Sequence, residues 1–420
     1  MRFTLLMMMI TVLTELLLDL YLLHQVKLIY RRSRSGFVRY ATYSFMALSW
    51  LLLIVAVAWP SKSGEVDILP KMWLIFTWIT ITGLKFIYII FSLIGKIPVL
   101  FKHKPLRLGL YIGMPLGILF FLAFWWGALI NRHNIDIEHV TLESARLPES
   151  FDGYSIVQIS DLHLGSWGND TTFVSNLVDS VNSLKPDLIV FTGDLVNRAA
   201  PEAKPFISVL SRLKADDGVL AILGNHDYGD YCIWENPEQK KSNLKTLREY
   251  IRLQNWKLLD NENISIKNDG DSIIVIGVGN WGEPPFKSYG DFHKALKTRT
   301  ESKTDIDPKG EEFKVLLTHN PEHWRQIIRN TTNIDLTLSG HTHAMQMMVK
   351  AGGFRWSPSM YIYENWAGLY EHKSEESGNL WLYVNVGDGE VGLPMRVGAD
   401  PEITYITLKR PIAKAENKGK

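Results

Sequence analysis

The sequence predicts an all-α region of four membrane-length helices followed by an α/β domain, and three observations carry that expectation. Four long apolar stretches fill residues 1–133. From about Asn134 to residue 412, short apolar runs alternate with polar helical stretches and Gly, Pro and Asn turns. Side chains of the metal-ligand type follow those runs within a few residues. With 420 residues the chain can bury a sizeable core without disulfides, and its single cysteine, Cys232, excludes both an intrachain disulfide and a multi-Cys metal site.

The apolar stretches run over about 3–23, 41–59, 72–95 and 107–130, each near the roughly 20 residues that cross a bilayer as a helix. The first is expected to be retained rather than cleaved: its leading charge is a lone Arg2, no small-residue cleavage site follows Leu23, and three more stretches come after it. Buried core helices are the rival reading, but the length of the stretches and the tryptophans near their ends (Trp59, Trp73, Trp125, Trp126) favour spanning. Lys27, Arg31, Arg32, Arg34 and Arg39 follow the first stretch, and Lys96, Lys102, Lys104 and Arg107 follow the third. The loop after the second has only Lys62 and Lys71, offset by Glu65 and Asp67. By the positive-inside rule the domain after Ile130 is then extracytoplasmic, and the chain is expected in a bacterial inner membrane with the lipid bilayer as its partner. Glu15 and Asp19, four apart on one helix face, and Lys85 in the third stretch lie within apolar segments, where charge is costly unless paired. An interhelical ion pair is the expected reading and a proton or ion path the alternative.

Runs 154–159, 187–192, 218–223, 315–318 and 336–338 read as buried strands of the domain. After them come Ser160-Asp161-Leu162-His163, Thr192-Gly193-Asp194-Leu195, Gly224-Asn225-His226-Asp227, Thr318-His319-Asn320-Pro321 and Gly340-His341-Thr342-His343. Any one fragment is common by chance. Five in succession at strand ends, three with a glycine suited to a tight turn, point to one shared metal site. Lys and Arg total 45 against 44 Asp and Glu, a net charge of +1 that gives no reason to expect a nucleic-acid partner. Six of the seven histidines outside the fragments (His24, His103, His133, His139, His293, His372) read as structural, and the seventh, His323, and Trp324 as packing or surface residues. Asn197 and Arg198 are candidates to reach a substrate phosphate or else solvated loop residues, and residues 413–420 read as a disordered basic tail.

In this order the five fragments resemble the calcineurin-like metallophosphoesterases, whose blocks have the forms D-x-H, G-D, G-N-H-[DE], H and G-H-x-H. Residues 382–396 (LYVNVGDGEVGLPMR), followed by Pro401-Glu402-Ile403, are similar to membrane-attached phosphohydrolases related to UDP-2,3-diacylglucosamine hydrolases. Two departures bear on the substrate: Val386 where such relatives often carry a basic residue, and a polar insert over 281–312. The resemblance implies a four-layer sandwich of two mixed β-sheets flanked by helices. It also implies two divalent metal ions (Mn, Fe, Zn or Ni), one held by Asp161, His163 and His343, the other by Asn225, His319 and His341, with Asp194 between them. His226 follows a ligand without being needed as one, so it is the candidate to protonate a leaving oxygen, with Asp227 orienting its ring. The expected activity is hydrolysis of a phosphoester or pyrophosphate bond in a phosphorylated small molecule or lipid-linked substrate. A non-catalytic metal-binding sensor of the same fold is the alternative.

Overall fold

Length and hydropathy account for the first four helices of the computed structural model, which describes residues 5–33, 36–59, 68–284, 287–297, 305–374 and 378–411. They are α1 (Leu5–Ser33), α2 (Gly36–Ala58), α3 (Leu69–Ile94) and α4 (Met114–Leu129), the last entered through a π-helical turn at Gly109–Gly113. All four belong to helical stretches long and apolar enough to cross a membrane. Two of them exceed the stretches expected from hydropathy, since α1 continues to Ser33 and α2 already begins at Gly36. Hydropathy marks where a bilayer would end, whereas a helix ends where its backbone breaks, and residues 24–33 contain neither Gly nor Pro. The expected tail over 413–420, the start of the first apolar stretch and parts of the polar insert lie outside the described residues.

Inside the helical unit the expected ion pair forms, and it takes both acids. Lys85 Nζ lies 2.5 Å from Glu15 Oε1, 2.9 Å from Asp19 Oδ1 and 2.8 Å from Ser49 Oγ. The Ser49 hydroxyl donates to Glu15, Thr82 Oγ1 donates to Glu15 Oε2 at 3.0 Å, and Trp50 Nε1 donates to Asp19 Oδ2 at 2.8 Å. The three ionic groups are buried, so α1, α2 and α3 are fastened at one level. Gly109, Gly113 and Gly117, four apart, bring the α4 segment against α3 so closely that a Cβ at Gly109 would lie 2.7 Å from Ser92 Cβ and one at Gly113 2.9 Å from Phe91 Cβ.

The chain divides into two compact units: the four helices together with Gly392–Val397, and Arg132–Val391 with the chain from Gly398 on. Within the first, Asn131 Nδ2 donates to Arg396 O at 3.0 Å. The second is the α/β domain. One six-stranded sheet has the order β1 (Asp136–Glu143), β14 (Glu402–Lys409), β2 (Ser155–Ile159), β3 (Leu188–Phe191), β4 (Val219–Ala221), β5 (Lys257–Leu258). The other has the order β12 (Gly368–Ser374), β13 (Gly378–Val384), β9 (Leu336–Ser339), β8 (Lys314–Thr318), β7 (Asp271–Val278), β6 (Glu262–Asn268), and β10 (Val349–Ala351) pairs with β11 (Phe354–Trp356) as a separate hairpin. Both large sheets are mixed: β2, β3 and β4 run parallel while β14 opposes β2, and β7, β8 and β9 run parallel while β6 opposes β7.

Alternation of side chains along these strands builds the layers. Ile156, Leu188 and Val190 point between the sheets, where they meet Val275, Val315, Leu317, Leu336 and Leu338 of the second sheet. Val157, Ile159, Ile189 and Phe191 point the other way, onto α5 (Thr172–Ser183) and α6 (Pro237–Leu253) through Phe173, Leu177, Leu247 and Ile251. On the far face of the second sheet, Ile274, Ile276 and Leu316 pack against Trp324 and Ile328. Helix, sheet, sheet, helix is the expected four-layer order, and strands buried on both faces explain why their sequences read as unbroken apolar runs.

Candidate metal centre

Each of the five fragments emerges from the C-terminal end of a parallel strand: β2 leads to Asp161 and His163, β3 to Asp194, β4 to Asn225, β8 to His319, and β9 to His341 and His343. The two sheets present these ends to one space. Backbone bonds sew the loops together, with Asp161 N donating to Gly193 O (2.9 Å), His163 N to Asp194 O (3.1 Å) and Gly340 N to His319 O (3.0 Å). The turns are tight: Gly193 has φ of 100°, and a Cβ there would lie 2.5 Å from Gly224 N. Asp161, His163, Asp194, His341 and His343 also take φ between 42° and 76°, a region that side-chain-bearing residues enter at a cost of about 1–3 kcal/mol each. Such strain is held only where surrounding contacts over-determine it, and here it falls on five of the expected ligands.

The donor atoms form two groups joined through carboxylates. In one, His163 Nε2 and His343 Nε2 are 3.1 Å apart and Asp161 Oδ1 is 3.2 Å from His343 Nε2. In the other, Asn225 Oδ1 is 3.0 Å from His319 Nε2 and 2.9 Å from His341 Nδ1, and those two imidazole nitrogens are 3.3 Å apart. Asp194 Oδ2 lies between the groups, 3.6 Å from His163 Nε2 and 3.2 Å from His319 Nε2. Asp161, His163 and His343 converge closely enough to hold one ion, as do Asp161, Asp194 and His319. Nitrogen and oxygen atoms at these separations could share a cation.

Partners behind the ligands fix which nitrogen faces inward. His319 Nδ1 lies 2.8 Å from the Thr192 carbonyl, which can only accept, so Nδ1 carries a proton and Nε2 is the nitrogen that faces the site. Tyr363 OH meets His341 Nε2 at 3.2 Å, leaving Nδ1 to the site, and Asn225 Nδ2 donates to Tyr231 OH at 2.8 Å, which turns Oδ1 inward. His163 Nδ1 is buried with no hydrogen-bond partner. Burial and the neighbouring carboxylates pull the ring charges of this cluster in opposite directions. Burial lowers the His319 pKa, but the carboxylates of Asp194 and Asp161 outweigh it and hold the group up to about 10. Burial, reinforced by His319, pushes His341 down to about 3. For Asp161 burial acts upward, yet His343 and His319 keep it below the usual carboxylate range. Imidazole, carboxylate and amide oxygen are donors that suit Mn, Fe, Zn or Ni, and the arrangement fits two such ions without any thiolate.

His226 stands beside the ligands at the half-buried side, its ring 4.8 Å from that of His163 and stacked on Tyr231. Its ring is not held by Asp227. His226 Nδ1 is 2.6 Å from the Asn197 carbonyl, whereas the Asp227 carboxylate accepts from the backbone N–H groups of Asp194, Leu195, Val196 and Gly224. Asp227 faces away because four converging amides offer it more than one imidazole does. Burial, with the Asp194 charge, raises its pKa to about 7. Asn197 is likewise no solvated loop residue: it is buried, its amide donates to Glu390 O (2.9 Å), and its own N–H is held by Glu202 Oε2 (2.6 Å). Glu390 in turn forms a two-point pair with Arg132, at 2.9 Å for both contacts. Arg198 reaches the Tyr231 carbonyl at 3.4 Å. His323 and Trp324 are both buried, His323 against Thr318 Oγ1 (3.0 Å) and the Trp281 ring, which accounts for one end of the polar insert.

The roles of Tyr231, Tyr363, Glu202 and the Thr192 and Asn197 carbonyls were not legible in the sequence. Tyr231 alone had a signal, lying six residues past Asn225 in the same loop.

An α/β domain with imidazole, carboxylate and amide donors gathered at the ends of parallel strands in two linked groups has the makings of a metal-dependent hydrolase. Residues 154–345 match the family described as calcineurin-like phosphoesterase. Over 309 residues the chain is 30% identical to an uncharacterized metallophosphoesterase of Helicobacter pylori strain J99, covering 73% of this chain and 72% of that protein. It is 29% identical over 297 residues to the uncharacterized metallophosphoesterase YkuE of Bacillus subtilis, covering 68% and 90%. A transmembrane protein with metallophosphoesterase domain from Bos taurus is 29% identical over 271 residues, covering 63% and 55%. The chain belongs to the calcineurin-like phosphoesterase family.

Proposed function

We propose that the protein is a membrane-anchored, two-metal phosphohydrolase acting on a phosphomonoester, phosphodiester or pyrophosphate at or near the membrane surface. One observation carries the reading: seven side chains of ligand type converge in two groups linked by Asp161 and Asp194. Asp161, His163 and His343 would hold one ion, Asn225, His319 and His341 the other, and Asp194 both. Bound there, the ions would supply an acidified water as nucleophile and a clamp on the phosphoryl oxygens.

The remaining residues position and transfer a proton. Because the Asn197 carbonyl takes Nδ1–H of His226, Nε2 is the nitrogen left to protonate the leaving oxygen. Tyr231, stacked on that ring, holds its plane. Asp227 fixes the two loops that carry Asp194 and Asn225 by gathering their amides. The Lys and Arg excess after the first and third apolar stretches supports an extracytoplasmic domain, and the shift in composition near Asn134 supports a domain boundary there.

Turnover of bis-p-nitrophenyl phosphate and p-nitrophenyl phosphate by the purified full chain, with Mn²⁺ or with EDTA, tests the activity. Metal-dependent hydrolysis that disappears in Asp194→Asn is the expected result. A folded protein that binds metal and turns over neither ester with any divalent ion would leave the sensor reading in its place. Protease added to spheroplasts tests orientation, with cleavage inside the domain expected.

A further inference from the structure

We propose that Thr192 is a positioning residue of the metal centre: its hydroxyl is the middle step of a buried relay, from Gln158 to Ser160, that aims the Asp161 carboxylate. The inference deepens the two-metal reading and rests on it. Its first sign is a polar side chain among apolar neighbours. Side chains alternate along β2, so Gln158 points with Ile156 into the layer between the sheets, where it is fully buried. A polar group there is costly unless it is bonded. Gln158 Nε2 donates to the Ser339 carbonyl of β9 at 2.9 Å, across the layer, and to Thr192 Oγ1 at 3.0 Å.

The direction of each step is forced by the two ends of the relay. The Ser339 carbonyl can only accept, which places the amide nitrogen of Gln158, and not its oxygen, against Thr192. Thr192 Oγ1 therefore accepts from Gln158 and gives its own proton to Ser160 Oγ, 2.7 Å away. Ser160 Oγ in turn donates to Asp161 Oδ2 at 2.5 Å. The His341 backbone N–H meets the same carboxylate, 3.1 Å from Oδ2 and 3.3 Å from Oδ1. Ser160 is pinned while it does this: its N–H donates to Asp388 Oδ2 at 3.2 Å and its carbonyl accepts from Asp388 N at 2.9 Å. Gln158, Ser160, Asp161 and Thr192 are all fully buried, so bulk water does not compete for these bonds.

With Oδ2 held by Ser160, Oδ1 is the oxygen left to the site, 3.2 Å from His343 Nε2. The main-chain carbonyl of the same threonine takes the His319 Nδ1 proton at 2.8 Å. Thr192 thus orients a ligand in each group through two different atoms. Its hydroxyl serves the group of Asp161, His163 and His343, and its carbonyl the group of Asn225, His319 and His341. Partners that hold a ligand in place contribute about 10- to 100-fold to metal affinity. A valine at 192 has nearly the same shape, keeps the carbonyl and lacks the hydroxyl, so it separates the two functions.

The test is calorimetric titration of Mn²⁺ into the metal-stripped full chain, in two backgrounds that each leave one group of ligands intact. In His341→Ala, whose remaining ion sits with Asp161, Thr192→Val is expected to weaken binding about tenfold. Thr192→Ser, which keeps the hydroxyl, should leave that affinity unchanged. In His343→Ala, whose remaining ion sits with Asn225 and His319, Thr192→Val is expected to change nothing. Ser160→Ala cuts the relay at its last step, so in the His341→Ala background adding Thr192→Val to it should weaken binding no further. Equal weakening in both backgrounds, a Thr192→Ser chain as weak as Thr192→Val, or additive losses from Ser160→Ala and Thr192→Val would overturn the proposal, each marking a general loss of packing. Unchanged affinity on adding Thr192→Val to His341→Ala would overturn it as well. An unaltered chain that takes up no Mn²⁺ would instead remove the two-metal reading beneath it, and the proposal with it.

Discussion

The protein buries charge in two places, and the contrast between them separates a fastening from a site. In the helical unit, the three N–H donors of Lys85 meet three acceptors, on Glu15, Asp19 and Ser49, and the remaining carboxylate oxygens accept from Thr82 and Trp50. Donor and acceptor are matched within the cluster, so it holds helices together and presents nothing outward. In the domain, carboxylate oxygens, an amide oxygen and imidazole nitrogens lie 2.9 to 3.6 Å from one another with no Lys or Arg among them. Atoms of ligand type gathered this closely, with no ammonium or guanidinium group among them, have the makings of a cation site. Burial alone does not distinguish the two clusters. What the buried atoms offer one another does.

Substitutions can break that distinction, beginning with the reaction itself. His226→Ala is expected to lower turnover about 10²- to 10⁴-fold, the range of a general acid, while the metal content of the protein stays unchanged. Equal loss of metal and turnover would instead make His226 a structural member of the ligand cluster. Lys85→Met leaves two buried acids without their counter-charge and should cost the helical unit about 3–5 kcal/mol, seen as a lower melting temperature in detergent. Adding Glu15→Gln and Asp19→Asn should restore most of that loss, and none of the three changes should alter metal content. Asp227→Asn replaces an oxygen that accepts amides with an NH₂ group facing them, at about 1–3 kcal/mol of domain stability read by denaturant titration. Smallest is Tyr363→Phe, expected to weaken metal binding about tenfold by releasing His341 Nε2, as removal of a group that orients a ligand does.

Much of the centre was legible because strand ends and side-chain chemistry are both written locally. Asp161, Asp194, Asn225, His319 and His341 each follow a run whose burial on two faces makes it recognisably apolar, and the loops bring these candidate ligands together at the strand ends. The support around them was not legible, for identifiable reasons. His226 and His319 are oriented by backbone carbonyls, which carry no side-chain signal. Asp227 adjoins His226 in sequence, yet neighbours on a tight turn point apart, so adjacency suggested a contact that the fold replaces with four amides. Tyr363 reaches His341 from a segment with no motif of its own. In the helical region the buried acids and Lys85 were visible as charges in apolar stretches, whereas the end of α1 was not, because its helix outlasts its hydropathy.

The most direct test of the claim that the domain cluster is a two-cation site is the stoichiometry of Mn²⁺ binding to the metal-stripped full chain, measured by calorimetric titration. Two ions per chain in the unaltered protein, with the pair lost in Asp194→Asn and kept in Lys85→Met, is the predicted result. A single ion, or a count that Asp194→Asn leaves unchanged, would contradict a centre bridged by Asp194.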